Sequence, residues 1–93
     1  MKIEVEGHII EFNPIKYVDM LRLKGEFYDV YRDIENISQK EFNILLGNVS
    51  EVAFDNAETV IGEFKYETQL NILTKIMSEY LGLSDNQKKS DGV

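Results

Sequence analysis

Five serines (Ser38, Ser50, Ser78, Ser84 and Ser90) and a single histidine, His8, are the residues from which a nucleophile and its base could be built. Their spacing builds neither. Ser38 opens Ser-Gln-Lys-Glu, a sequence in which the hydroxyl caps a helix, and no third group is placed to orient His8. His8 instead lies in a short alternating segment, where a half-buried structural histidine is expected. The chain has no cysteine, which excludes thiolate metal sites and disulfides, and one histidine cannot make a multi-histidine zinc site. The acids are many but lack the Asp-x-Asp-x-Asp-Gly spacing of a calcium loop, and no glycine-rich phosphate loop exists. No catalytic residue, cofactor or metal is assigned, and the chain is expected not to be an enzyme. The remaining chemistry is that of binding. Tyrosines 17, 28, 31, 66 and 80 fall on helical spacings, where they suit a core or an interface.

The elements that would position these side chains follow from patterning. Residues 1–12 alternate. With a turn at Glu6-Gly7, Val5 faces His8, Ile3 faces Ile10 and Met1 faces Phe12 on one side, while Lys2 faces Glu11 on the other. This predicts a β-hairpin whose apolar face needs covering. Asn13-Pro14 reads as a helix N-cap and first turn, with Phe12 and Tyr17 as a hydrophobic staple. Tyr17, Met20 and Leu21, then Phe27, Val30, Tyr31 and Ile34, predict a long helix kinked or broken near Gly25. Ser38–Glu41 is a capping box with Ile37 and Phe42 as staple, opening a helix expected to end after Leu46 at Gly47-Asn48. In residues 49–66, Asp55–Glu58 could cap a short helix, the preferred reading. Val60, Gly62, Phe64 and Tyr66 also alternate as in a strand. Tyr66, Leu70, Leu73, Met77 and Tyr80 mark a last helix, closed by Gly82 and Leu83 in a Schellman-type ending.

The expected fold is α+β: a mostly helical small domain over 1–83, with an N-terminal β-hairpin (1–12) packed on three to four helices. Residues 84–93 read as a flexible polar C-terminal tail. The expected core is Ile3, Ile10, Phe12, Val18, Leu21, Val30, Ile34, Leu70, Leu73 and Met77. No apolar run approaches a membrane span, and the first residues lack the apolar core of a signal peptide. A soluble, cytoplasmic protein without membrane contact is expected.

Charge is distributed unevenly. Residues 1–25 and 64–93 each hold four acids and four bases, while 26–63 hold nine acids against Arg32 and Lys40, which accounts for the whole net charge of −7. Direct nucleic-acid binding, which needs basic surface, is disfavoured. The acidic middle reads either as a solvated face or as a docking surface for a basic partner. Glu26, Asp29, Asp33, Glu51 and Glu58, with Tyr28 and Tyr31, are the expected partner-binding residues. Several apolar helix faces in so short a chain also predict self-association or a partner helix.

The order of elements resembles that of tail assembly chaperones of long-tailed bacteriophages. The resemblance runs from the Met1–Phe12 ribbon around Gly7 and Phe12-Asn13-Pro14-Ile15-Lys16 to Ile37-Ser38-Gln39-Lys40-Glu41-Phe42 and the closing Leu70–Leu83 segment. It implies a small, acidic, helical protein of the host cytoplasm that coats the helical tape-measure protein and recruits tail tube subunits during virion assembly. An alternative is a small acidic inhibitor of a host defence nuclease that imitates nucleic-acid charge. Apolar residues such as Leu45, Leu46, Val52 and Phe54 interrupt its acids. A third is a generic protein-interaction domain.

Overall fold

The computed structural model describes residues 1–83; the polar segment 84–93 expected as a tail lies outside them. The chain opens with strands β1 (Lys2–Val5) and β2 (His8–Glu11), paired antiparallel with Ile3 opposite Ile10, Val5 opposite His8 and Lys2 opposite Glu11, as the alternation predicts. Met1 and Phe12 extend the ladder through Phe12 N–H to Met1 O at 2.8 Å and the Met1 amine to Phe12 O at 2.9 Å. At the turn, Glu6 has φ 54° and Gly7 φ 84°. Both central residues are therefore left-handed, the type I′ geometry that matches strand twist. Glycine adopts it freely; glutamate does so because the helix Tyr66–Leu81 holds its carboxylate. The Thr68 hydroxyl donates to Oε1 at 2.9 Å and the Asn71 amide to Oε2 at 2.8 Å.

These two bonds, Asn71 first and Thr68 second, hold the Glu6 carboxyl below the usual carboxylate range. A group with a lowered folded pKa adds stability above its unfolded pKa, about 4.3 for glutamate, and that stability is lost as pH falls through the folded value. Glu6→Gln is therefore expected to flatten the stability curve below about pH 4.3, measured as urea midpoints against pH. An unaltered acid limb would remove Glu6 from the titration.

Ile3, Val5, Ile10 and Phe12 form the hairpin's buried face, whereas His8 and the Met1 side chain are exposed. His8 sits at the ribbon's end, edge-on to the Phe64 ring at 4.9 Å, rather than half-buried.

Asn13 does not cap a helix. Its N–H donates to Ala53 O at 2.8 Å and its amide to Val52 O at 3.4 Å and Asp55 Oδ1 at 3.2 Å. Its carbonyl accepts from the Tyr80 hydroxyl. The residue that reads locally as a cap is thus spent joining the hairpin exit to two distant helices. Helix α1 begins only at Tyr17, with Lys16 at the cap position, and the Phe12–Tyr17 staple is not formed: Phe12 is buried and Tyr17 exposed.

α1 (Tyr17–Tyr31) runs unbroken through Gly25, contrary to the expected kink. Glycine costs a helix about 1 kcal/mol relative to alanine, which burial of Leu23 and Val30, with Met20, Phe27 and Tyr31 packed against the core, offsets. The helix stops at Tyr31, so Ile34 falls in a 3-10 turn (Ile34–Asn36) and is exposed. Val18 and Leu21 are exposed as well, leaving these three outside the core expected from periodicity. The remaining expected members are buried, apart from half-buried Leu70.

α2 (Gln39–Ala53) begins as read: the Glu41 N–H donates to Ser38 Oγ at 3.2 Å. Ser38→Ala is expected to cost about 1 kcal/mol by chemical denaturation; no loss would show that solvent caps this end equally well. The helix passes straight through Gly47-Asn48, beyond the expected stop. Leu45, Leu46, Val49 and Ala53 continue its buried stripe, and the Asn48 amide donates to Glu26 Oε1 at 2.8 Å instead of ending the helix. A short α3 (Ala57–Ile61) follows, capped not by Asp55 as the spacing predicts but one residue later by Asn56, through the Thr59 N–H at 3.3 Å, and the strand alternative for this segment is not adopted.

α4 (Tyr66–Leu81) is the centre of the molecule, packed on β1, α1 and α2. Ile72 and Ile76 are its most deeply buried residues, one position beside the expected face. Tyr66 points outward, its hydroxyl donating to Asn43 Oδ1 at 3.3 Å. The ending is as read: Gly82 has φ 70°, and the Leu83 N–H reaches Ser78 O at 2.8 Å. The result is an α+β fold, a hairpin on four helices around one apolar core.

Candidate functional site

α1 and α2 lie side by side and leave a groove between them. Residues of α1 at positions 19, 22, 26 and 29 repeat every three or four residues, so they form one polar stripe along its edge. Glu41, Ile44, Asn48 and Glu51 repeat likewise on α2, polar except at Ile44. Packing of the buried stripes against each other brings these two edges together as walls.

The groove holds two depressions that meet at Glu26. One, of about 330 Å³, is lined by Glu26, Asp29, Val30, Arg32, Glu41, Ile44 and Leu45. The other, of about 260 Å³, is lined by Asp19, Arg22, Leu23, Glu26, Asn48, Glu51 and Val52. The floor is apolar: Leu23, Val30 and Leu45 are buried, Val52 is half-buried, and Ile44 is exposed. Five carboxylates rise around it against two guanidiniums. Arg22 is engaged by Asp19 at 3.2 Å. Glu26 is oriented by the Asn48 amide, so the wall is braced across the groove.

Of the residues expected from sequence, the structure brings Glu26, Asp29 and Glu51 into this groove. Asp33 is not among its lining; it lies beyond the end of α1, where the Asn36 amide donates to it at 3.2 Å. Glu58 is in the first turn of α3, also outside the lining. Tyr31 packs into an aromatic cluster, 4.5 Å from the Phe27 ring and 6.4 Å from Phe42. Burial pushes its phenol up from the ordinary value. Tyr28 is exposed on another face of α1. Asp19, Glu41, Ile44 and Asn48 were not singled out by sequence. Asp19, Glu41 and Asn48 belong to a polar repeat on each helix, and only the pairing of the two helices turns that repeat, with Ile44 among it, into a site.

The chemistry this arrangement supports is recognition. Ser38 is spent as a cap and His8 packs on Phe64. Among the described residues, no group of three or more histidine or acidic side chains could hold a metal ion, and no helix is long and apolar enough to cross a membrane. A groove between two helices, apolar below and acidic at its rim, has the shape and charge to take a third amphipathic helix with basic flanks. No protein-family model, no curated protein and no solved structure matches this chain.

Proposed function

We propose that this chain is a non-catalytic assembly factor whose α1–α2 groove captures an amphipathic helix of a protein partner. The fullest form of the reading is a phage tail assembly chaperone of the host cytoplasm. Its captured helix is then a segment of the tape-measure protein, to which tail tube subunits are recruited. The observation that carries it is the acidic rim of Glu26, Asp29 and Glu41 around the Val30–Leu45–Ile44 floor, continued by Glu51 beside Leu23 and Val52. Apolar contact with that floor supplies most of the affinity, because exposed ion pairs contribute only about 0–1 kcal/mol each. The carboxylates steer and select the partner.

The test is a pull-down from phage-infected cells, followed by titration of the recovered helical segment at low and high salt. Recovery of tape-measure or tube protein, with binding that weakens as salt rises, is expected. Recovery of a nuclease or defence complex alone would overturn the chaperone reading in favour of a charge-mimicking inhibitor.

A further inference from the structure

α1 carries two apolar seams. Met20, Leu23, Phe27 and Val30 repeat at intervals of three and four and face the core. Val18, Leu21, Gly25 and Tyr28 repeat at the same intervals, two residues earlier in the chain. At about 100° per residue, that offset puts the second seam on the opposite side of the helix. There Val18 is 63 %, Leu21 47 % and Tyr28 62 % exposed. The 3-4-3 repeat is the pattern by which one helix pairs with another.

Gly25 points the same way. Glycine is the poorest helix former after proline, yet a Cβ at this position would meet nothing within 4 Å. The molecule's own packing therefore does not require a glycine there. A body approaching closely from outside would.

From this we infer that α1 pairs antiparallel with α1 of a second copy, Tyr28 of each seated on Gly25 of the other. The charges beside the seam select both the occupant and the register. Arg22 and Asp29 lie seven positions apart along one flank. When Gly25 faces Tyr28 of the second copy, Arg22 faces its Asp29, and the two-fold axis repeats the contact. Sliding by one heptad would seat Leu21 on Gly25 but set Arg22 against Arg22 and Lys24 against Lys24, which like-charge repulsion disfavours. Arg22 already touches Asp19 within the chain. A guanidinium has five donors and can hold a second carboxylate. The inference goes beyond the groove reading: its apolar contact uses a different face, and only the flanking Arg22 and Asp29 also belong to the groove wall.

One helix pair buries less than the roughly 1,200 Å² of a standard stable interface. The dimer is therefore weak, and the protein should pass from monomer at about 10 µM to dimer by about 1 mM in sedimentation velocity. Tyr28→Ala should weaken it by at least about tenfold, the loss of an aromatic anchor. Gly25→Ala should raise the melting temperature of the monomer while weakening the dimer, two effects of opposite sign that a merely structural glycine would not produce. Arg22→Asp should weaken association, and adding Asp29→Arg should restore it. A strict monomer at about 1 mM would overturn the inference, as would a dimer indifferent to Gly25→Ala or one that the double exchange fails to restore. Capture of a partner helix in the groove is read separately, by titration of Gly25→Ala with that helix.

Discussion

Ile72→Ala is expected to remove about 2–5 kcal/mol of unfolding free energy. Ile72 is fully buried on α4, the helix that touches β1, α1 and α2. A cavity there lies where several elements meet, and the main chain of a buried helix cannot collapse to fill it. Small domains hold only about 5–15 kcal/mol in total, and each kcal/mol moves the melting temperature of a domain this size by about 4–8 °C. The melt should therefore fall by at least about 8 °C. The informative control is Ile34→Ala. Ile34 continues the helical periodicity of α1 and reads as core, yet its side chain is 72 % exposed. Its truncation should stay within about 0.5 kcal/mol. Equal melts for the two variants would contradict the packing described.

Reversing Glu26, Glu41 and Glu51 together to lysine is expected to slow capture of a basic helix by at least about tenfold at low salt. It should also abolish the fall of the association rate with salt. All three carboxylates line the groove, and none is fully buried, so the fold should survive and circular dichroism should be unchanged. Ile44→Asp should act on the other kinetic constant. It places a charge on the apolar floor and speeds dissociation. The controls are Asp33→Lys and Glu58→Lys, acids of the same central segment that lie outside the groove. Stopped-flow rates for them should stay within about twofold of wild type after their smaller change in net charge. If they slowed capture as much as the groove triple, total charge and not the groove would be steering.

The groove illustrates what a single chain's pattern can and cannot reveal. Three of its acids, Glu26, Asp29 and Glu51, stand out because the central segment holds the whole charge imbalance. Asp33 and Glu58 stood out for the same reason and are elsewhere, because composition has no geometry. Asp19 and Glu41 went unmarked, the first lying in a charge-balanced stretch and the second accounted for as part of a cap.

The features that the amino-acid order determined by itself are those whose partners lie within a few residues. The hairpin register, the Ser38 cap, the short α3 and the Gly82 ending all close through contacts between near neighbours, and each was legible. Tertiary structure decided the rest. Asn13 would cap a nearby helix if no better partners existed, but Ala53, Asp55 and Tyr80 take up its backbone and side chain. Gly25 and Gly47-Asn48 would end helices in an isolated segment, and burial of Leu23, Val30, Leu46 and Val49 overrides them. Two apolar seams of equal periodicity run along α1, and nothing local distinguishes them. The inward one was chosen when α2 and α4 packed against it, because burying apolar surface is a property of where the other elements are and not of the helix alone.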